Sequence, residues 1–344
     1  MEDVIRLCID KLVEGQDLSE TESEKAFLEI MEGRATQAQI GALLMGLRIK
    51  GETPKEILGA ARVMRRLATK IPVRIEGSEP VMDTCGTGGD GSSTFNISTT
   101  VAFVVAGGGV KVAKHGNRSI TSKSGSADCL EALGKDLNLT PEDVAREIED
   151  VGIGFLFAPN LHPAMRYAAG PRRELGIRTI FNVLGPLTNP AGATVQLMGV
   201  FSKELCPVLC EVLGMLGAKC AWVVHGHGGL DEMSLSGPTT VAQWDGEKIE
   251  EFEVVPEDVG LARAGIETLV GGDAQENAEI LREILSGREK GPKRDVVLLN
   301  AGAAFVISGK AKDLKEGVEL SKEIIDSGKA LKVLDAYLRY NHSA

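Results

Sequence analysis

The chain has 344 residues, of which 43% are hydrophobic, 4% are aromatic and 41 are glycines, and its formal net charge at pH 7 is −11. This length suggests two domains or one large one, and the many glycines favour an α/β protein with tight strand-to-helix turns over a β-sandwich. The acidic charge argues against nucleic-acid and membrane-surface binding, both of which usually require a basic face.

Residues 1 to about 70 are predicted to be helical throughout. Apolar residues recur there at helical spacing after each of three capping boxes, in which Ser or Thr is followed three residues later by Glu or Gln. The boxes pair Ser19 with Glu22, Thr36 with Gln39, and Thr53 with Glu56. We therefore predict a small helical domain over residues 1–72, built as a bundle of four short helices.

After residue 80 the pattern changes to short apolar segments, predicted as buried strands, that alternate with helices. The strands are predicted within 80–85, 110–116, 154–158, 195–201 and 220–226, and the helices at 97–107, 140–150 and 203–216. This alternation favours a mixed, mostly parallel sheet flanked by helices, and therefore an α/β domain over residues 73–344. The helical segment at about 160–190 is expected to leave the sheet and pack on the N-terminal bundle.

Residues 82–99, MDTCGTGGDGSSTFNIST, place four glycines in six positions after a predicted strand. Their spacing matches neither the phosphate loop of ATPases nor the dinucleotide-binding fingerprint. Bare backbone N–H groups at a helix N-terminus still attract phosphate. Because the carboxylate of Asp90 would repel phosphate, we expect it to bind a sugar hydroxyl or a metal-bound water. The alternative is a simple strand-to-helix turn with Asn96 or Ser98 as the N-cap.

A second loop, KHGNRSITSKSGSAD at residues 114–128, also follows a predicted strand and leads into a helix. It gathers Lys114, His115, Arg118 and Lys123 with several hydroxyl side chains, which suits a ligand that carries more than one phosphate. The alternative is a solvated basic loop in which Ser126 caps the next helix. Two such loops at one edge of a parallel sheet would share a crevice, which favours the binding interpretation.

A third loop, HGHGGLDEMSLSG at residues 225–237, contains Asp231 and Glu232, whose carboxylates are the hard oxygen ligands that Mg²⁺ prefers. Neighbouring residues of a regular strand point in opposite directions, so both can serve one site only if the loop is irregular. His225 and His227 have no third soft ligand nearby in the sequence, so zinc is not favoured.

Arg172 and Arg173 follow Pro171 and are predicted to start a helix. A guanidinium at this place could bind a carboxylate in a bidentate fork. The alternative is that both are surface arginines.

The cysteines and the first residues bear on the cellular compartment. None of the six cysteines forms a C-x-x-C pair, so neither a zinc knuckle nor a thioredoxin-type site is expected. Cys206 and Cys210 lie four residues apart on a predicted helix, where we expect small buried side chains. The first twelve residues are charged throughout, unlike a signal peptide, and we expect a cytoplasmic, reducing environment.

Four segments of the chain, in this order, resemble the anthranilate phosphoribosyltransferase family: residues 83–99, 114–128, 170–190 and 229–239. The likeness extends over nearly the whole chain. Thr121 stands where the family usually has Ser, and Met233 where it usually has Ile. The first change keeps a hydroxyl and the second keeps bulk, so activity is still expected.

The resemblance implies that the amine of anthranilate attacks C1 of 5-phosphoribosyl 1-pyrophosphate (PRPP) and that pyrophosphate leaves with Mg²⁺, in tryptophan biosynthesis. It assigns Mg²⁺ to Ser98, Asp231 and Glu232, and anthranilate to Gly86, Asn117 and Arg172. It assigns PRPP to Gly86, Gly89, Asp90, Thr94, Asn96, Ile97, Ser98, Thr99, Lys114, His115, Gly116, Asn117, Arg118, Ser119, Ile120, Thr121, Ser122 and Ser126. It also implies a homodimer formed through the α-helical domain.

The chemistry of the reaction makes modest demands on the protein. Displacement at an anomeric carbon develops oxocarbenium character, and pyrophosphate is already a good leaving group, so charge neutralisation and positioning dominate. A neutral aryl amine does not require a strong general base. His115 is a candidate to take up the amine proton, although binding a carboxylate is the favoured interpretation.

Two other functions are compatible with the fold that the resemblance implies. A pyrimidine nucleoside phosphorylase-like enzyme would use phosphate as its nucleophile, but it does not need the carboxylate pair at 231–232. A non-catalytic nucleic-acid-binding relative is disfavoured by the net charge of −11.

Overall fold

The computed structural model describes residues 3–74, 77, 79–119 and 123–340. The strands are β1 (Val81–Asp83), β2 (Lys111–Gly116), β3 (Ile153–Phe157), β4 (Val195–Gly199), β5 (Cys220–Gly226), β6 (Thr239–Trp244) and β7 (Ile249–Val254). The first helices are α1 (Val4–Val13), α2 (Glu20–Met31), α3 (Gln37–Lys50), α4 (Pro54–Leu67), α5 (Ile97–Gly107), α6 (Ser126–Ala132) and α7 (Pro141–Asp150). The others are α8 (Ala158–Leu161), α9 (Arg166–Leu175), α10 (Phe181–Leu184), α11 (Leu205–Met215), α12 (Ala274–Leu285), α13 (Pro292–Ile307), α14 (Leu314–Asp326) and α15 (Lys329–Arg339).

The four predicted N-terminal helices are confirmed, together with the capping boxes that start α2, α3 and α4. In each box the Ser or Thr side chain accepts from the backbone N–H three residues on, and the Glu or Gln side chain accepts from the cap N–H in return. Glu56 is fully buried and also accepts from the backbone N–H of Leu18 at 2.8 Å and from Lys50 at 3.0 Å. This carboxylate therefore joins two turns of the bundle.

The sheet has seven strands in the order β3-β2-β1-β4-β5-β6-β7. The pairings among β1 to β5 are parallel, and β6 and β7 are added antiparallel. The predicted mixed, mostly parallel sheet is confirmed. The chain leaves β1 toward β2 on one side and later returns to place β4 on its other side, which puts the switch point of the topology beside the loop that follows β1.

Two strands and the last four helices were not placed by the sequence. The outermost strand β7 reads IEEFEV and exposes Glu250 and Glu251, a pattern without the continuous apolar run of a buried strand. Charged side chains on an edge strand discourage pairing with another chain. Local patterning alone therefore provided no reason to place a strand there.

Apolar packing covers both faces of the sheet. One core cluster joins β1, β4 and β5 to α5, α13 and α15 through residues such as Val101, Leu299 and Leu334. The other joins the opposite face, with Met198 and Val223, to α11 and the N-terminal bundle. The bundle and the sheet thus share a continuous apolar core.

The segment at 159–190 packs on the bundle. Ala168, Phe181 and Leu184 belong to the core cluster that contains the bundle residues, and α9 contacts both α2 and α3. From α4, Arg65 donates to the carbonyl of Leu187 at 2.6 Å. Burial lowers the pKa of Arg65 to about 10.

The prediction that a helix starts after Pro171 is wrong. Helix α9 begins at Arg166, after a 3₁₀ turn at Pro163–Met165, and Pro171 lies inside it. Arg172 and Arg173 therefore stand in its last turn. The proline ring is buried, and this packing offsets the backbone hydrogen bond that a proline cannot donate within a helix.

The cysteines are all free, and Cys206 and Cys210 are buried on α11, as predicted. Over the described part of the chain, no helix has both the length and the apolar character needed to cross a bilayer.

Candidate functional site

The three loops singled out in the sequence meet at the carboxyl edge of the sheet. The loop after β1 contacts the loop after β5, where the Asp231 carboxylate Oδ2 accepts from the backbone N–H of Gly88 at 2.7 Å. The N–H of Thr87 donates to the carbonyl of Gly199, at the end of β4, at 2.9 Å. These contacts join loops that are far apart in the sequence into one crevice at the switch point.

Close approach explains two of the glycines at this crevice. A Cβ on Gly86 would lie 2.8 Å from Asp231 Oδ2, and a Cβ on Gly199 would lie 1.5 Å from the Asp231 carbonyl oxygen. Any larger residue at either position would displace the loop that carries Asp231. In addition, Gly89 has a φ of 76°, which is costly for a residue with a side chain.

Asp231 and Glu232 lie in an irregular loop between β5 and β6. Their side chains are therefore not forced to opposite sides, as they would be in a regular strand. Burial, followed by repulsion from Asp90, raises the pKa of Asp231 to about 7. Burial, followed by repulsion from Asp231, raises the pKa of Glu232 well above its usual value. Three carboxyl groups thus crowd one corner, where a cation would stabilise their charged forms.

Lys114 and Ser98 form the other side of this corner. The Lys114 side chain is buried, and its ammonium donates to Ser98 Oγ at 3.1 Å and to the carbonyl of Thr84 at 3.4 Å. Lys114 and the Ser98 backbone N–H both act to lower the pKa of Glu232, against the effect of burial. The structure thus brings together Ser98, Lys114 and Glu232, from the three predicted loops.

Asp90 faces the same corner. Its carboxylate accepts from the N–H and hydroxyl of Ser92, at 3.1 and 2.6 Å, and lies 3.5 Å from the backbone nitrogen of Asp231. Nearby, Thr94 forms an isolated bridge with Val270. Ile97 is 2% exposed and packs in the core, so its side chain is structural.

Some buried polar atoms at the start of α5 lack a partner among the described residues. Asn96 is the N-cap of α5, but its side chain makes no capping hydrogen bond. Asn96 Oδ1, Thr99 Oγ1 and Thr87 Oγ1 are buried without a hydrogen-bond partner. Since buried polar groups are nearly always hydrogen-bonded, these atoms point to a ligand or water in the crevice.

His115 is buried, and both of its ring nitrogens contact protein atoms. Nδ1 lies 3.1 Å from the carbonyl of Gly185, and Nε2 lies 3.1 Å from Nε2 of His162. Burial, followed by the nearby His162, lowers the pKa of His115 to about 3. The ring is therefore neutral at pH 7, and in this arrangement neither nitrogen is free to accept a proton.

Asp83, Cys85 and His115 place potential metal ligands within 4.8 Å of one another. Asp83 already accepts from the side-chain amide of Asn189 at 2.7 Å and from the N–H of His115 at 3.2 Å. Because the imidazole nitrogens are occupied as well, this group serves to hold the ends of β1 and β2 together.

The loop after β2 is only partly described, because Ile120, Thr121 and Ser122 lie outside the described residues. The exposed Asn117 accepts at its carbonyl from the hydroxyl of Ser126 at 3.3 Å. Ser126 is the first residue of α6, whose N-cap is Gly125. A Cβ on Gly116 would lie 2.4 Å from Ser126 Oγ, so this turn is tightly packed.

Arg118 is paired within its own neighbourhood. Its guanidinium donates to Glu131 at 2.7 Å and to Asp128 at 3.1 Å, both on α6. The N–H of Ser119 donates to Asp128 at 3.1 Å. In this arrangement the charge of Arg118 is compensated by carboxylates.

Arg172 has no carboxylate partner in the described part of the chain. Its guanidinium carbon lies 5.1 Å from the ring centre of Phe181, and burial lowers its pKa. A partly buried guanidinium beside an aromatic ring is suited to bind a planar carboxylate.

Sequence reasoning missed several residues that support the site. Asn300, fully buried on α13, accepts from the N–H of Met233 at 2.9 Å and donates to its carbonyl at 3.1 Å. It therefore holds the chain directly after Asp231 and Glu232. A lone Asn inside the apolar stretch 296–307 was the available signal. No comparable sequence signal marked His162, Asn189 or Arg178.

Comparison with known proteins adds to this geometry. Two family models match the chain, a Glycosyl transferase family helical bundle domain over residues 6–68 and a Glycosyl transferase family a/b domain over residues 78–331. An anthranilate phosphoribosyltransferase of Symbiobacterium thermophilum is 56% identical over 339 residues, which cover 98% of each chain.

Solved structures are similar over the same extent. Anthranilate phosphoribosyltransferase from Thermus thermophilus superposes with a TM-score of 0.91 at 47% identity, over 97% of this chain and 99% of that one. The Saccharomyces cerevisiae enzyme in complex with PRPP and Mg superposes with a TM-score of 0.89 at 31% identity, over 98% of both chains. The yeast enzyme in complex with 4-fluoroanthranilate gives 0.87 at 31% identity, over 97% of this chain and 96% of that one.

Proposed function

We propose the function of this chain from its family: it belongs to the anthranilate phosphoribosyltransferases, and it transfers the phosphoribosyl group of PRPP to the amine of anthranilate. The products are N-(5-phosphoribosyl)anthranilate and pyrophosphate, in tryptophan biosynthesis. The observation that carries this proposal is the meeting of the three loops, in which Asp231 binds Gly88 and Lys114 binds Ser98 in one crevice.

PRPP binds along the loops after β1 and β2, at the residues that the resemblance assigns. The unpartnered side-chain atoms of Asn96 and Thr99, together with the exposed backbone of Gly89, support this placement. Backbone N–H groups at the start of α5 attract the pyrophosphate, and Lys114 supplies a positive charge. Arg118, held by Glu131, would have to leave that carboxylate to contact phosphate.

Mg²⁺ is the implied cofactor, and the donor set of the crevice fits it. Ser98, Asp231 and Glu232 would hold the ion, because their oxygen atoms are hard ligands and the raised pKa values indicate a corner short of positive charge. When bound, Mg²⁺ neutralises charge that develops on the leaving pyrophosphate. Asp90 binds a ribose hydroxyl or a metal-bound water.

Anthranilate binds near Gly86, Asn117 and Arg172. The guanidinium of Arg172, which has no carboxylate partner among the described residues, takes its carboxylate. Since both ring nitrogens of His115 contact protein atoms, we assign His115 to shaping this site and not to accepting the amine proton. A neutral aryl amine already carries the lone pair that attacks C1.

The protein contributes mainly by holding the two substrates in position and by excluding water, which competes with the amine for C1. Positive charge around the leaving group lowers the barrier, because negative charge builds on the pyrophosphate as it departs and oxocarbenium character develops at C1. Among the described residues, no specific contact favours nucleoside phosphorolysis or nucleic-acid binding.

The chain works as a cytoplasmic homodimer that associates through the helical domain. Leu7, Val13 and Ile49, on α1 and α3, are large apolar side chains with 45%, 81% and 79% of their surface exposed. Such residues on one small bundle suit contact with a second copy.

Light scattering coupled to size exclusion should give twice the mass of one chain, and Ile49→Asp should shift the measured mass toward that of the monomer. A monomeric wild type would contradict this.

Anthranilate fluorescence tests the activity directly. Purified protein mixed with anthranilate, PRPP and Mg²⁺ should deplete the fluorescence, whereas omission of PRPP or addition of EDTA should abolish the change. Replacement of anthranilate by benzoate, which lacks the amine, should give no pyrophosphate release. Unchanged fluorescence with folded protein would refute the proposed function.

A further inference from the structure

Arg178 joins three parts of the molecule at the mouth of the crevice. It lies between α9 and α10, in the segment that packs on the N-terminal bundle. Its guanidinium donates to the carbonyl of Gly89, in the loop after β1, and stacks 4.2 Å from the ring centre of Phe201. Phe201 lies two residues beyond the end of β4. The side chain thus connects the segment that packs on the bundle to two loops of the sheet.

The contact with Gly89 selects the orientation of one peptide unit. Gly88 and Gly89 both have positive φ values, 67° and 76°, and both are exposed. Glycine peptides rotate at low cost because no Cβ restricts them. Arg178 fixes the Gly89 carbonyl, and in a trans peptide the Asp90 N–H then points the opposite way.

Asp231 holds the Thr87–Gly88 peptide, two peptide units before Gly89–Asp90. Its carboxylate accepts from the Gly88 N–H at 2.7 Å, so the loop is fixed from one side by a carboxylate and from the other by a guanidinium. Without Arg178, the Gly89 carbonyl would lose this side-chain donor, while the loop would keep its contacts at Gly88 and at the Asp90 carboxylate. The loop would then sample orientations that do not suit a bound anion.

Arg178 also shares its segment with Arg172. The two residues are separated by the end of α9 and the turn at Gly176. A carboxylate bound at Arg172 would restrict this segment, and therefore Arg178. Among the described residues, the Arg178 guanidinium has no carboxylate partner, so its position depends on Gly89 and Phe201.

We propose that Arg178 is a positioning residue that orients the Gly89–Asp90 peptide for PRPP and couples the PRPP site to the carboxylate site at Arg172. This inference rests on the proposed function. Arg178 is not among the residues that the family resemblance assigns to PRPP, anthranilate or Mg²⁺. By linkage, a carboxylate bound at Arg172 should tighten PRPP binding through Arg178, and PRPP should tighten carboxylate binding equally.

Steady-state kinetics of Arg178→Ala, Arg178→Lys and the matched control Arg173→Ala test the first part. Arg173 is an exposed arginine of the same segment. Arg178→Ala should raise the KM for PRPP about tenfold, the loss of one charge-assisted hydrogen bond, with a smaller change in kcat. Arg178→Lys should recover part of the loss, because an ammonium can still donate to the Gly89 carbonyl. Arg173→Ala should match the wild type.

A PRPP KM within about twofold of wild type in Arg178→Ala, or an equal rise in the control, would overturn the assignment. A fall in thermal stability with equal changes in both KM values would instead indicate a merely structural role and would also overturn it. If Arg178→Ala does not fold, Phe201→Leu removes the stacking partner and keeps the guanidinium. That variant should then raise the PRPP KM in the same direction.

Calorimetric titration of PRPP with Mg²⁺, with and without benzoate, tests the coupling. Benzoate should tighten PRPP binding to the wild type more than to Arg178→Ala, and an equal effect on both proteins would overturn the coupling. The same titration separates this inference from the function. A wild type that binds PRPP but does not consume anthranilate would refute the function alone. A wild type that does not bind PRPP would refute both.

Discussion

The carboxylate of Asp231 accepts a hydrogen bond from the backbone N–H of Gly88 at 2.7 Å, across 143 positions of the chain. This contact ties the acidic loop after β5 to the glycine loop after β1. The same carboxylate lies where a Cβ on Gly86 would be only 2.8 Å away. A side chain at position 86 would therefore displace the Asp231 carboxylate from its contact with Gly88.

Asp231→Asn tests the proposed Mg²⁺ site most directly, because it keeps the size of the side chain and removes one charge. The half-saturating Mg²⁺ concentration should rise about tenfold or more, since the ion loses one charged ligand. The metal-free variant should melt above the metal-free wild type, because repulsion with Asp90 and Glu232 is relieved. Mg²⁺-dependent activity and metal-free melting curves check both effects.

Glu250 is an exposed residue of β7, so Glu250→Gln is the control for the loss of one carboxylate. It should leave the Mg²⁺ titration unchanged. If Asp231→Asn and the control give the same Mg²⁺ curve as the wild type, the ion binds elsewhere.

Arg172→Ala should raise the KM for anthranilate at least about tenfold, and by a far larger factor than the KM for PRPP, because only anthranilate presents a carboxylate to this guanidinium. Arg172→Lys should recover part of the affinity, since an ammonium forms a single contact in place of a fork. Initial rates with each substrate varied in turn give both constants. Equal changes in the two KM values would contradict the assignment to the carboxylate.

Asn300→Leu should destabilise the protein by about 1–3 kcal/mol, because it leaves the N–H and carbonyl of Met233 buried without partners. The loop that carries Asp231 and Glu232 should loosen, so the Mg²⁺ requirement should rise as well. Denaturant unfolding and Mg²⁺ titration measure the two effects. Ser321→Ala, which removes a buried hydroxyl from α14 whose hydrogen bond lies within its own helix, is a matched control for lost stability. A variant that loses stability without a higher Mg²⁺ requirement would show that Asn300 has no part in the metal site.

The buried histidine pair should make stability fall on acidification. Burial lowers the pKa of His115 to about 3 and that of His162 to about 4, from the usual 6.5. Below about pH 6.5 the unfolded chain takes up protons that the folded protein does not, so the free energy of unfolding falls as pH drops toward 4. Urea unfolding at pH 7 and pH 5 should show a smaller loss in His162→Gln than in the wild type.

His227→Gln is the control for that measurement, because His227 is exposed. It should lose as much stability between pH 7 and pH 5 as the wild type does. If His162→Gln also loses as much as the wild type, the pair does not contribute to the acid sensitivity.

The starts of the N-terminal helices could be predicted because their signals are local. A capping box needs only four consecutive residues, such as Thr53 to Glu56, and the structure confirms each of the three. The strands β1 to β5 were predicted from short apolar runs, and the loops after β1, β2 and β5 from their glycines and charges. Parallel strands place such loops at one edge, so the meeting of the loops after β1 and β2 also followed from the sequence.

Other features depended on which side chains meet across the fold. Sequence spacing placed Arg118 and His115 among cations available to a ligand, yet Glu131 pairs with the first and His162 occupies the second. It also placed the start of a helix after Pro171, where packing of the ring keeps α9 continuous.

The chain by itself determined the helix starts, the strand–helix alternation, the family resemblance and the three loops, because hydrogen bonds and periodicity within a few residues encode them. Only the tertiary structure decided that Arg178 reaches the carbonyl of Gly89 and that Asn300 holds Met233. Those contacts join residues 89 and 67 positions apart. The packing of helices and loops against the sheet brings these partners together, and a local sequence pattern does not predict that packing.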